Sequence, residues 1–397
     1  MKLEVKTLRY LTSDDFRVLT AVEMGSKNHE IVPVHLIIQT ANIRHGNVQR
    51  CIAELARRNL VAKECTSKYD GYRLTYGGYD YLALRALSKR GTVVSVGNQI
   101  GVGKESDIHV VADADGHERV LKIHRLGRTS FRTVKNNRDY LQGRHTASWM
   151  YLSRLSATKE VAFMRVLKEH GFPVPIPYDH NRHCVVMEFV DAFPLRQITE
   201  VAQPGKLYAE LMDLIVRLAQ SGLIHGDFNE FNILIKESGV PTLIDFPQMV
   251  STSHANAEFY FNRDVECIRT YFRRRYRYES ALYPKFTRDA TREFSLDVKV
   301  SASGFNRKQL KELDEYYAER GEIAEGEGSE DEDEESSDDQ EEEDGTESET
   351  GSEEQTTSDD EEGKTKPPTA TPTTMSVPLV DELVTIDKAV GALTISD

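Results

Sequence analysis

Asp227, Asn232 and Asp245 are the residues whose types and spacing point most directly to chemistry. They fall in His225-Gly226-Asp227-Phe228-Asn229-Glu230-Phe231-Asn232, then apolar Ile233-Leu234-Ile235, a turn containing Gly239, and Leu243-Ile244-Asp245-Phe246-Pro247-Gln248. The pattern predicts a loop, a short strand, a turn and a second strand, with the three polar side chains gathered at one end of the hairpin. Two carboxylates and an amide placed there suit phosphoryl transfer. That reaction is accelerated mainly by positioning and by a metal ion that neutralises charge on the phosphates.

The order Asp, Asn five residues on, and a strand-end Asp thirteen further matches the spacing in protein kinases. Other parts of the chain can be read against the same chemistry. Gly97 to Ser106, with Gly101, Gly103, Lys104 and Ser106, reads as a glycine loop between two strands, where bare backbone approaches phosphates closely. It is not a Walker A loop, because Asn98 stands where the first glycine belongs and Glu105 follows the lysine. Arg119-Val120-Leu121-Lys122-Ile123 is a strand with one lysine among apolar neighbours, and Lys122 is expected to grip the alpha and beta phosphates. A helix over about 147–170 carries Glu160, the expected ion partner of Lys122, with Glu169 a less well placed rival. Val185 to Val190 reads as a buried strand running into an interlobe hinge. There Met187 and the main-chain groups of Glu188 and Val190 are expected to meet the adenine.

The elements before the glycine loop describe a different module. Helical spacing over 14–24, 34–40 and 46–59 is followed by strands over 60–66 and 72–76, with a hairpin turn expected at Asp70-Gly71. Three helices and a two-stranded wing make a winged helix, which docks on nucleic acid or on protein. Arg44, Arg50, Arg57, Arg58 and Lys68 are its candidate nucleic-acid contacts, with Glu54 interrupting the basic face. Residues 76–90 read as a linker helix, 128–145 as a mobile basic loop, and 308–320 as a short charged helix. After Pro247 no Ala-Pro-Glu follows, and a helix begins near Asn256, so the long activation segment and peptide-docking platform of ordinary protein kinases are missing. Arg263 and Asp264 are expected to cap or brace that helix rather than to catalyse.

Charge is divided along the chain. The formal net charge is -15, yet residues 321–363 hold 23 acidic groups and no Lys or Arg, which leaves +8 on the rest. A mildly basic body suits a polyanionic partner, while the tail over 321–374 is disordered by composition. Within 375–397, Ile386, Val390, Leu393 and Ile395 fit the spacing of a nuclear export signal, which would bind an export receptor. Four scattered cysteines read as free thiols of a reducing compartment. No apolar run nears the roughly 20 residues that span a bilayer, and the first residues lack a signal-peptide core, so the expectation is a soluble intracellular protein without a membrane partner.

The motifs Gly101-Val-Gly-Lys-Glu-Ser106, His225-Gly-Asp-Phe-Asn-Glu-Phe-Asn232 and Ile244-Asp-Phe-Pro-Gln248, joined to a winged helix, resemble the RIO family of atypical protein kinases in its winged-helix branch. The resemblance covers about Lys2 to Arg320. It implies an α+β chain: a winged helix (1–90), a two-lobed kinase-like domain (91–302, lobes about 91–187 and 191–302), a helix (303–320), and the acidic tail. It implies ATP and Mg2+ as cofactors, Asp227 as the catalytic acidic residue, Asn232 and Asp245 as metal ligands, and Lys122 with Glu160 as the phosphate grip. It further implies serine/threonine kinase or ATPase activity in cytoplasmic maturation of the small (40S) ribosomal subunit, on the pre-40S particle and its rRNA. Asp245 either binds metal or accepts the phosphoryl group itself. Two other readings stay open: a small-molecule phosphotransferase of the aminoglycoside or choline kinase type, and an RNA-binding scaffold with a non-catalytic kinase fold.

Overall fold

Thr12 fixes where the first long helix starts. Its hydroxyl accepts the Asp15 N–H at 3.2 Å while the Asp15 carboxylate accepts the Thr12 N–H at 2.9 Å, a reciprocal capping box. The helix, α1 (Ser13–Gly25), is followed by β1 (Val32–Pro33), α2 (Val34–Ala41), α3 (Val48–Arg57), β2 (Val61–Cys65) and β3 (Asp70–Leu74). The computed structural model describes residues 3, 5–44, 47–65, 70–126, 149–302, 313 and 384–385. The strands form an antiparallel sheet in the order β1-β3-β2.

The turn expected at Asp70-Gly71 is instead strand, because Asp70 pairs with Cys65 and Gly71 with both Glu64 and Pro33. A Cβ on Gly71 would meet Ile31 Cγ2 and the Val32 carbonyl oxygen at 2.6 Å. Close approach of β1, not a turn, is what requires glycine there.

The helix expected as a linker, α4 (Tyr76–Lys89), is a core element: Tyr79, Asp80, Leu82, Ala83, Leu84 and Leu87 are all buried. Leu19, Leu55 and Leu84 share one apolar cluster with Val96, Val111, Leu121 and Val186 of the next domain. The winged helix and the following sheet therefore have a common core.

That sheet comprises β4 (Ser95–Val102), β5 (Ser106–Ala112), β6 (Glu118–His124), β7 (Pro177–Asn181) and β8 (Cys184–Glu188), with α5 (Trp149–Glu169) between β6 and β7. The spatial order is β4-β5-β6-β8-β7, antiparallel throughout, and Val384–Thr385 pairs along the free side of β4. The glycine stretch is mostly strand rather than loop. Gly97 and Gly101 lie within β4, which is irregular in register from Val96 to Gly101, and only 103–105 separate it from β5.

The second lobe contains β9 (Phe193–Pro194), α6 (Pro204–Gln220), β10 (Leu223–Ile224), β11 (Ile233–Ile235), β12 (Pro241–Leu243), β13 (Val250–Ser251), α7 (Ala257–Tyr276), α8 (Phe286–Asp289) and α9 (Leu296–Ala302). Helix α6 buries Leu207, Leu211, Leu214, Ile215 and Leu218 along one stripe, as its spacing predicts. Strands β11 and β12 pair Ile233 with Leu243 and are joined by a turn at Gly239, whose φ is +81°. The basic segment 128–145, the helix over 303–320 apart from Leu313, the tail 321–374, and the motif residues Ile386, Val390, Leu393 and Ile395 lie outside the described residues.

Candidate active site

The loop between β10 and β11 is held by its backbone. The buried Asp264 of α7 accepts the Gly226 N–H at 2.8 Å and the Phe228 N–H at 3.1 Å, so Asp227 between them is fixed in direction. The Arg263 guanidinium donates to the Gly226 carbonyl. These two residues thus brace the catalytic loop, not their own helix as expected. Burial pushes the Asp264 carboxyl up to about 7, against the pull of the two N–H donors. Gly226 has φ +78°, and a Cβ on it would lie 2.8 Å from the Gln248 carbonyl oxygen. The glycine lets this loop close onto the segment carrying Asp245.

Asp227 accepts from Asn229 Nδ2 and Asn232 Nδ2, each at 2.8 Å, and Asn232 Nδ2 also donates to the Asp227 carbonyl at 3.0 Å. The Ile244 N–H donates to the Asn232 carbonyl at 3.0 Å, which ties the loop to the residue before Asp245. Burial, and then the Asp245 carboxylate nearby, raise the Asp227 pKa, as suits a group that takes a proton from an attacking hydroxyl or water. Asp245 has φ +70°, a left-handed conformation that a non-glycine residue adopts at a cost.

Lys122 joins the two lobes across this point. Its Nζ lies 2.7 Å from Glu160 Oε1 and 3.0 Å from Asp245 Oδ1. The expected Lys122–Glu160 pair is therefore made, while Glu169 lies exposed at the end of α5. Asp245 is a partner that the sequence did not assign to Lys122. His124 Nε2 sits 2.7 Å from Glu160 Oε2, off the line of a good hydrogen bond, and its Nδ1 is 3.0 Å from Ser156 Oγ. His124 and Ser156 were missed because neither stands in a recognisable motif.

At the glycine hairpin the Gly103 N–H donates to the Ser106 carbonyl at 2.7 Å. Neither Gly101 nor Gly103 has a positive φ, and added Cβ atoms there would meet the protein only at 3.4 Å or beyond. The protein's own backbone and packing do not demand glycine at these positions, which fits a surface left bare for a phosphate chain. Lys104 is exposed beside them. Met187 is buried opposite Val120. The Glu188 N–H donates to the Ile176 carbonyl at 2.8 Å and its carboxylate accepts from the Ile176 N–H at 3.0 Å. Of the main-chain groups expected to meet adenine, the Glu188 N–H is thus already engaged; Val190 is half-buried beyond it.

On the winged helix, Arg44 and Arg50 are exposed, whereas Arg57 and Arg58 are paired with Glu54 at 2.6 and 2.7 Å. Lys68 lies outside the described residues.

Comparison with known proteins gives these features a family. Residues 107–285 match the RIO domain and residues 8–90 the Rio2 N-terminal domain. The serine/threonine-protein kinase rio2 of Schizosaccharomyces pombe is 60% identical over 80% of this chain and 93% of its own length. The chain belongs to the Rio2 branch of the RIO kinases. The Saccharomyces cerevisiae RIO2 kinase is 50% identical over 78% of each chain. A crystal structure of the Rio2 kinase from Chaetomium thermophilum, in an ADP/Mg2+-phosphoaspartate complex, is 55% identical, with a TM-score of 0.74 over 81% of this chain and all of that one.

A Rio2 protein is an ATP-dependent phosphotransferase of the serine/threonine kinase class that uses Mg2+. The residues present fit that ion, because Asn232 and Asp245 bring an amide and a carboxylate oxygen to the cleft where Asp227 and Lys122 also point. When bound, Mg2+ neutralises charge on the phosphates. Beside them the chain offers a cation, Lys122, held by Glu160 at 2.7 Å, and a second carboxylate, Asp227, whose proton affinity burial raises.

Proposed function

We propose that this Rio2-family kinase works as a switch-like kinase or ATPase in late cytoplasmic maturation of the small (40S) ribosomal subunit, and that Asp245 is its phosphoryl acceptor. The observation that carries the reading is the setting of Asp245. Its side chain is 42% exposed at the cleft, its backbone is held at φ +70°, and Lys122 lies 3.0 Å away. A carboxylate oxygen of Asp245 would attack the γ-phosphorus, the bond from phosphorus to the bridging oxygen would break, and ADP would leave with the electron pair. Water then attacks the acyl phosphate with Asp227 taking its proton, which releases phosphate and restores the carboxylate. The phosphoaspartate named for the Chaetomium thermophilum relative supports this step. The chain reaches α7 at Ala257, ten residues after Pro247, which leaves little length for a peptide-docking segment.

Single-turnover reaction with γ-labelled ATP tests it. Hydroxylamine-labile label on the wild-type protein, absent from Asp245→Asn, is expected. Stable phosphoserine formed in a protein substrate far faster than ATP hydrolysis would overturn the switch. The pre-40S particle and its rRNA are the proposed partners, supported by the +8 charge outside the acidic tail and by exposed Arg44 and Arg50. Cross-linking in cells should recover small-subunit rRNA, and scattered messenger RNA would sink that assignment. An export receptor acting on the motif of Ile386 to Ile395 would account for passage through the nucleus, and nuclear build-up of Leu393→Ala is its expected sign.

A further inference from the structure

Three residues beyond Lys122, where β6 ends, Arg125 is enclosed between two carboxylates from different parts of the chain. Its Nη1 and Nη2 donate to Asp80 at 2.6 and 2.8 Å in a bidentate pair, and its Nε donates to Asp107 at 2.9 Å. Asp80 belongs to α4 of the winged-helix domain, and Asp107 follows Ser106 at the foot of the glycine hairpin. The Arg125 N–H also donates to the Glu105 carbonyl at 2.5 Å, so the same residue holds the hairpin by main chain and by side chain. Gln99 of the opposing strand reaches Asp107 at 3.4 Å. A second grip completes the arrangement: His183, at the β7–β8 turn, places Nε2 2.8 Å from Asp80 and stacks on Tyr79 of α4.

We propose that Asp80 is a positioning residue for nucleotide, acting through Arg125 and Asp107, so that the winged-helix domain sets the glycine hairpin that covers the phosphates. Three features argue for positioning over simple adhesion. The charges are sealed from solvent, and a buried ionic cluster of this kind is a poor source of stability compared with apolar packing of the same volume. A guanidinium forked between carboxylates also fixes direction, which an apolar contact does not. Finally, the bonds run in sequence from α4 to Arg125 and on to Glu105 and Asp107, the residues flanking Ser106. The linkage is reciprocal, so a partner that shifts α4 changes nucleotide affinity by the factor by which nucleotide changes the partner's affinity.

The test is the Kd for ATP–Mg2+ of the full chain, measured beside the rate of a single turnover at saturating ATP. Asp80→Asn keeps the shape of the side chain but loses its charge. It is expected to raise the Kd at least tenfold and to change the saturated rate less than twofold. Asp107→Asn should do the same, which keeps the test alive if Asp80→Asn does not fold. The double variant should be no weaker than the weaker single, because both act through Arg125. Leu55→Ala, which opens a cavity in the winged-helix core without touching the cluster, supplies the control for lost stability. It should lower the melting temperature and leave the Kd within twofold. A wild-type Kd in folded Asp80→Asn overturns the proposal, and so does a wild-type Kd in Asp107→Asn. So does a double variant whose effect is the product of the singles, or an equal rise in Kd for Leu55→Ala. The readout is nucleotide binding by the isolated protein, so the result is independent of the ribosomal assignment.

Discussion

Lys122 and Arg125 sit three residues apart, and each lies between two carboxylates, yet the two clusters differ in where they face. Around Arg125 all three side chains are at most 4% exposed. Around Lys122, Glu160 is 1% exposed but Asp245 is 42% exposed. A cation with one partner at the solvent edge can exchange that partner for a phosphate or let it turn to a metal ion. A cation sealed on every side cannot do so without opening the protein. Two positions three residues apart, one on β6 and one just past its end, thus carry a movable grip and a fixed one. The Arg57–Glu54–Arg58 cluster on α3 gives a third case, with Arg57 76% exposed.

Breaking the fixed cluster should have the largest effect. Arg125→Met leaves Asp80 and Asp107 buried without their cation, and a loss of about 3–5 kcal/mol of unfolding free energy is expected. Denaturant melts of the full chain measure it. A loss below about 1 kcal/mol would mean that water reaches the cluster and that the contrast with Lys122 is false.

The movable cluster should respond in activity instead. Asp245→Asn is expected to lower ATP turnover by about 10²–10³-fold, the scale on which one preorganised charged group acts in a transition state. Its melting temperature should stay close to wild type, because the side chain that changes is partly solvated and Lys122 keeps Glu160. A variant that unfolds as Arg125→Met does would place Asp245 among the fixed charges.

These two clusters were unequally legible from sequence. Asp227, Asn232, Asp245 and Lys122 stand at spacings dictated by short elements, a loop, a hairpin and one strand, so their order along the chain nearly gives their order in space. Glu160 lies 38 residues from Lys122, but helical spacing turned it toward the sheet. Asp80, Arg125 and His183 carry no such local signal. They meet only because α4 packs into a core shared by two domains, and its sequence, which lacks the single apolar stripe of α6, reads as a linker. Asp264 lies on the helix that its sequence predicts, but it binds the backbone of a loop 36 residues earlier, which no local spacing signals. Asp70-Gly71 misled in the opposite way, because glycine in a strand and glycine in a turn look alike until the neighbouring strand is known.

Within the movable cluster, acid should separate the inner arm from the outer one. Burial alone would raise the Glu160 pKa, but Lys122 and His124 beside it hold it at about 2 against an ordinary 4.5. The unfolded chain therefore binds this proton more tightly over that interval. The stabilising contribution is complete above pH 4.5 and is lost as pH falls toward 2. The stability advantage of wild type over Glu160→Gln should shrink as pH falls across that window. A difference that stays constant from pH 5 to pH 2.5 would show that Glu160 is not held as an anion by Lys122.

The exposed cluster should change least in stability and most in salt response. Glu54 engages Arg57 and Arg58 on the helix that also presents Arg50, and pairs at such exposure add little to folding. Glu54→Ala should leave the melting temperature unchanged while freeing two guanidinium groups for phosphate. Binding of a short small-subunit rRNA fragment should tighten a few-fold at low salt, with a steeper fall as salt rises, because each added phosphate contact releases another counterion. An unchanged affinity together with an unchanged salt slope would mean that α3 does not face nucleic acid. The winged helix would then act through α4 and the glycine hairpin alone.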